Sequence, residues 1–206
     1  KKEKGYLKQI FAEYINLHDK PEAQKTQMSA IKDNLRVLKP IAGIQYHKMS
    51  GQVFDQAVSC SEILQKYHDP NKLVVEVNGI LDKLRFEIVS HKIFEDEMKN
   101  IVRFIGLKSQ RPEEDYGKGP DVLWADGESN YFVIECKNEA KSTTTTISKT
   151  YCNQLNGSCN WFEEKYGHQN YTPIMIHPAS NFEYAASPNP KIRIITADEL
   201  STFCNI

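Results

Sequence analysis

The chain has 206 residues, 40% hydrophobic and 26% charged, a composition that permits a buried core and excludes a disordered or low-complexity protein. No run approaches the roughly 20 apolar residues that span a bilayer, and no apolar signal core follows Lys1-Lys2-Glu3-Lys4, so no membrane attachment is expected. The net charge of −1 is uneven, with nine Lys/Arg against five Asp/Glu in residues 1–40 and twelve against sixteen in residues 91–206. An acidic second half must attract any polyanionic partner locally, because bulk charge does not.

Taken in order, the first ninety residues read as helical. Tyr6, Ile10, Tyr14 and Leu17 recur at helical spacing, as do Met28, Ile31, Leu35 and Leu38. Pro21 stands where a second helix would start and Pro40 where it would stop. A third helix is expected over 52–67, ended by Asp69-Pro70, and a fourth with Leu73, Val77, Ile80, Leu81 and Leu84 on one face. Residues 1–90 therefore form an all-helical segment. The pattern changes near residue 91, where a second domain, 91–206, is expected to begin.

That domain opens with an amphipathic helix, Phe94–Ile105, placing Phe94, Met98, Ile101, Val102 and Ile105 inward and closed by Gly106. A charged loop, 108–119, leads to two short strands, Asp121–Ala125 and Tyr131–Lys137, joined by Asp126-Gly127-Glu128-Ser129-Asn130. A polar linker containing Asp-Gly predicts a hairpin. Ser142 to Thr146 leads into a helix over 147–166; strands near 173–177 and 192–195 and a helix from Asp198 follow. The order helix, strand, strand, helix, strand, strand, helix implies a mixed sheet flanked by helices, an α/β fold.

The hairpin carries the chemistry. With the turn centred on Glu128, Asp121 lies opposite Glu135, and antiparallel partners share a face about 5 Å apart. Lys137 joins that face by the period of two, while Cys136 turns away with Ile134 and Phe132. A register slip of one residue would undo the pairing. Two carboxylates at that distance repel by roughly 3 kcal/mol at an effective dielectric near 20, and one ammonium offsets only part of their charge. The surplus and the hard oxygen donors suit Mg²⁺ (or Mn²⁺). A cross-strand salt bridge on a solvated face is the plainer alternative.

Gly119-Pro120-Asp121, thirteen residues, then Glu135-Cys136-Lys137 resembles the PD-(D/E)XK motif of restriction-endonuclease-like nucleases. The resemblance covers residues 91–206, taking in Phe94-Glu95, Gln154-Leu155 and the closing Ile195-Thr196-Ala197-Asp198-Glu199-Leu200. It implies a restriction-endonuclease-like mixed sheet and metal-dependent endonucleolytic hydrolysis of DNA, less often RNA. Carried over residue by residue, Asp121, Glu135 and the Cys136 carbonyl look like metal ligands, and Lys137 like the group that orients or deprotonates the attacking water. Glu95 matches the family's helix carboxylate, a ligand for a second metal, with Glu97 as its competitor and Asp96 facing solvent. A solvated acidic helix turn is the plainer reading of Glu95. Gln154 resembles a residue that positions water or phosphate, or is a helix-surface glutamine without a role.

Other features are weaker. His168 and His177 are expected to be half-exposed, with no metal-ligand or base–nucleophile partner at a recognised spacing. Trp161, Phe162 and Tyr166 read as core and rim aromatics. No G-x-x-x-x-G-K-[ST] occurs, so the chain itself is no P-loop NTPase. Five cysteines, an odd number without a C-x-x-C pair, predict no disulfide framework, no cysteine zinc site and a reducing, cytoplasmic setting. The missing initiator Met leads us to expect a piece of a longer protein. The family is often joined to helicase or ATPase modules in restriction, defence and repair, which is the expected partnership here. A catalytically inactive nuclease-like module for docking or nucleic-acid binding is the alternative.

Overall fold

A computed structural model describes residues 2–38, 46–49 and 55–205. In chain order the helices are α1 (Lys2–Ile15), α2 (Lys20–Asp33), α3 (Gln56–Leu64), α4 (Pro70–Leu81) and α5 (His91–Ile101). Strand β1 (Lys108–Gln110), helix α6 (Pro112–Tyr116) and strands β2 (Val122–Ala125), β3 (Asn130–Cys136) and β4 (Thr146–Ile147) follow. Helix α7 (Lys149–Tyr166), strands β5 (Asn170–Ile176), β6 (Asn181–Phe182) and β7 (Arg193–Ile195), and helix α8 (Ala197–Cys204) complete the order.

The chain divides into two compact units, and not at residue 90. The first joins residues 1–47 to 112–118, and the second comprises 48–111 and 119–206. The change of sequence pattern at residue 90 is therefore no packing boundary. Ile80 of α4 and Leu84 beyond it bury into the same core as the sheet.

In the first unit α1 and α2 form a helical hairpin. Asp19 caps α2, its carboxylate accepting from the Glu22 amide, and Pro21 occupies the first turn, where its missing N–H costs nothing. The helix ends at Asp33, short of Pro40, which lies outside the described residues, as does the 52–54 start expected for α3. The buried positions of the two helices are Gly5, Ala12, Ala23 and Ala30. A Cβ at Gly5 would run into the Asn34 Cβ and approach the Ala30 carbonyl to 3.1 Å, so glycine here permits close helix approach. The large apolar residues at helical spacing, Tyr6, Ile10, Tyr14, Leu17, Met28, Leu35 and Leu38, are all exposed.

The second unit is built on a five-stranded sheet of order β1-β2-β3-β5-β7, antiparallel from β1 to β3 and parallel from β3 to β7. This is a mixed α/β architecture with helices on the sheet. One face buries Val122, Trp124, Ile134, Cys136, Ile174 and Ile176 against Phe94, Met98, Ile101 and Val102 of the α5 region and Leu200 of α8. The other carries Tyr131, Val133, Glu135 and Met175 by strand alternation, and α7 covers it, with Phe162 5.1 Å from the Tyr131 ring.

Helix α5 begins after Ser90, earlier than expected, and gives way at Val102 to a 3-10 turn ended by Gly106 at φ 79°. A side chain at Gly106 would collide with the Gln56 carbonyl. The tightened turn rotates Ile105 out of line, and it is exposed rather than inward. The loop expected over 108–119 contains β1 and α6, because Lys108-Ser109-Gln110 has no apolar alternation to announce a strand. The short parallel pair β4–β6 was equally unannounced.

Candidate functional site

The β2–β3 register pairs Val122 with Ile134, Leu123 with Val133 and Ala125 with Tyr131, which brings Asp121 opposite Glu135 at the open end. The turn enforces it. The Asp126 carboxylate accepts from the amides of Glu128 and Asn130, and Gly127 and Ser129 take up positive φ. Asp121 itself is fixed by the main chain, since the Cys136 amide donates to its Oδ2 at 2.7 Å.

The three residues meet. Lys137 Nζ lies 2.9 Å from Glu135 Oε2 and 3.4 Å from Asp121 Oδ2. All three are largely withdrawn from solvent, with side chains 13% exposed for Lys137, 8% for Asp121 and 5% for Glu135. That excludes the solvated cross-strand pair. One ammonium shared by two carboxylates leaves a surplus negative charge in a poorly solvated place. Burial, and then the Asp121 charge, push the Glu135 carboxyl up to about 7 against the pull of Lys137 and Ser158. Burial works against the Lys137 charge as well, but Glu135 and Asp121 outweigh it and hold the ammonium above the usual lysine range.

The comparisons with family models, with curated proteins and with solved structures give no match. The reading of the site therefore rests on its geometry.

Glu95 and Glu97 are both buried on α5 but serve different neighbours. Glu97 accepts from Lys83 Nζ at 2.5 Å and from Asn100 at 3.2 Å. Glu95 lies close enough to Asp121 to feel its charge: burial first, then Asp121, raise its carboxyl to about 7. Its Oε2 is nevertheless bound by Arg111 Nη2, while Nη1 of the same guanidinium binds Asp96 Oδ1 at 2.8 Å. Asp96 is exposed, as expected of its place on the helix.

Ser158 of α7, a residue the sequence gave no reason to single out, donates to Glu135 Oε1 at 2.7 Å. Tyr151, two turns earlier on the same stripe, sets its ring 5.6 Å from Lys137 Nζ. Gln154 lies between them on that stripe, exposed, with no hydrogen bond to the three central residues among the described residues. Cys136 turns into the opposite core, where burial pushes its thiol well above the usual range, so only its backbone remains for the site. His168 is exposed, but His177 is fully buried rather than half-exposed. It follows Ile176, whose carbonyl accepts from the Lys137 amide, and its Nδ1 accepts from the Ala179 amide at 2.9 Å. Burial holds its imidazole below the usual value against the pull of the Ala179 backbone, with Lys137 adding to the effect.

A divalent cation fits this donor set in one respect and is limited in another. Among the described residues no group of three His, Cys, Asp or Glu side chains is placed to hold a metal. The side chains supply two hard carboxylates, with an ammonium already standing where positive charge is wanted. Mg²⁺ is commonly held by one or two carboxylates, with waters and substrate phosphates completing its shell. The surplus charge on Asp121 and Glu135 matches that habit.

Proposed function

We propose that this chain is a metal-dependent nuclease of the restriction-endonuclease-like kind, hydrolysing phosphodiester bonds of DNA. The observation that supports it is the convergence of Asp121, Glu135 and Lys137 in one shielded acidic pocket at the end of a strand pair. A structural ion pair needs one carboxylate per ammonium. A second buried carboxylate costs stability and is explained by a cation that the pocket takes up.

Asp121 and Glu135, with the Cys136 carbonyl, are the residues that would hold Mg²⁺ or Mn²⁺. Such an ion, when bound, lowers the pKa of water and offsets charge on the phosphate. The chain's own groups do the rest. Ser158 and the Cys136 amide hydrogen-bond the two carboxylates, and Lys137 bridges them. Released from Glu135, its ammonium can donate to the attacking water or a phosphate oxygen and offset charge there. Lys137 thus acts by orienting the attacking water and offsetting charge on the phosphate. Gln154, exposed beside Tyr151 and Ser158, would contact the substrate backbone.

The acidic character of residues 91–206 favours delivery of DNA by another module, and a helicase or ATPase of a restriction, defence or repair system is the partner we propose. Among the described residues no helix is long and apolar enough to cross a membrane. Five free cysteines accord with the cytoplasmic setting we propose.

The test is incubation of the full chain with plasmid and Mg²⁺ or Mn²⁺. Cleavage should require the ion and fall by at least about a hundredfold in Asp121→Ala and in Lys137→Ala. Cleavage unchanged in both variants would remove the assignment, and a chain inert on single- and double-stranded DNA and RNA would leave a docking module.

A further inference from the structure

If the pocket takes up a divalent cation, as proposed above, the number of ions depends on what already holds the helix carboxylate. We propose that the Arg111 guanidinium is the built-in counter-cation of Glu95, so that the site accepts one divalent cation, at Asp121 and Glu135, and α5 is closed to a second.

The two cations of the site differ in kind. Lys137 is a point charge on a flexible stem, divided between two carboxylates at 2.9 and 3.4 Å. Its single ammonium can turn from one carboxylate to the other without breaking a planar pair. Arg111 directly follows β1 and is buried, with 5% of its side chain exposed. Its Nη2 meets Glu95 and its Nη1 meets Asp96 at 2.8 Å, so one planar group spans two carboxylates a single residue apart on α5. A guanidinium does not lose its proton at any ordinary pH. An ion approaching Glu95 would therefore have to displace a permanent charge from a carboxylate whose side chain is 10% exposed, or bind beside it. Either sets two cations in competition for one buried carboxylate. Glu95 feels the Asp121 charge, but its carboxylate is already engaged by Arg111. Its role is positioning: it holds Glu95 in place without touching the reacting atoms.

Titration of the full chain with Mn²⁺ alone, counted by calorimetry and by electron paramagnetic resonance, separates the possibilities. The wild-type chain should bind one ion. Asp121→Asn should weaken binding at least about tenfold, whereas Glu95→Gln should change it less than about threefold. Arg111→Met should admit a second ion, while Arg111→Lys should stay at one. Two ions in the wild-type chain would overturn the inference, as would Glu95→Gln weakening uptake as far as Asp121→Asn. So would a folded Arg111→Met chain that still binds one. If the arginine variants do not fold, the wild-type count and Glu95→Gln decide alone. A wild-type chain that binds no Mn²⁺ removes the nuclease reading together with this one; two ions remove only this one.

Discussion

In the α1–α2 hairpin the buried positions are Gly5, Ala12, Ala23 and Ala30, whereas in the sheet unit they include Phe94, Met98, Leu123, Ile134, Phe162 and Met175. The hairpin brings backbones close and leaves its large apolar side chains outside. The sheet unit fills its interior with them. Each large side chain withdrawn from water contributes about 1.5–3 kcal/mol, and a buried alanine far less. The surplus in the sheet unit is what tolerates the cost of holding Glu135, Asp121 and Glu95 away from solvent. An acidic pocket of this kind needs a strong core beneath it, and the hairpin has none to offer.

The largest expected effect that tests this contrast is at Phe94, which is fully buried beside Met98 and the sheet. Phe94→Ala should cost about 3–5 kcal/mol, measured by denaturant unfolding of the tryptophan signal. A loss below about 1 kcal/mol would mean that the large core is not what stabilises the unit.

Next is a pH dependence of the sheet unit. Glu135 and Glu95 have carboxyls raised from the ordinary 4.5 to about 7 by burial and by Asp121. A raised carboxylate binds its proton more tightly in the folded state than in the unfolded one. Its contribution is therefore favourable at acid pH and is lost as pH climbs from 4.5 through about 7. Thermal unfolding should show the melting temperature falling across that window, with the slope reduced in Glu135→Gln and by saturating Mn²⁺. A flat profile in the wild-type chain would refute the surplus charge.

The smallest effects separate the hairpin's two faces. Gly5→Leu forces a side chain into Asn34 and should cost about 1–3 kcal/mol of helical signal by circular dichroism. Ile10→Ser, on the exposed stripe, should change stability by less than about 0.5 kcal/mol. Equal losses would show that the apolar stripe is covered after all.

What could be read from sequence was local. The β2–β3 hairpin and its register were legible because the Asp126 side chain, Gly127 and the turn length fix which residues face each other. Once that register holds, Asp121, Glu135 and Lys137 share a side by alternation alone. The start of α8 was as local, observed at Ala197 against the expected Asp198. Long-range choices were not legible. Nothing in Arg111 or Ser158 announces a partner sixteen or twenty-three positions away. Periodicity could mark a face of α1 as apolar but could not say that the opposite, glycine-bearing face would be the one packed. His177 failed for a related reason: a histidine directly after a strand is exposed or buried according to what covers it, here α7 with Tyr151 5.7 Å away.

The hydrogen bond that seats the aspartate comes from the peptide N–H of residue 136, not from a side chain. Any amino acid but proline supplies that donor. The central letter of Glu-Cys-Lys can thus change with the packing behind the sheet while the pocket geometry in front stays put. The choice of interior side chain and the placement of the carboxylates are decoupled at a single position.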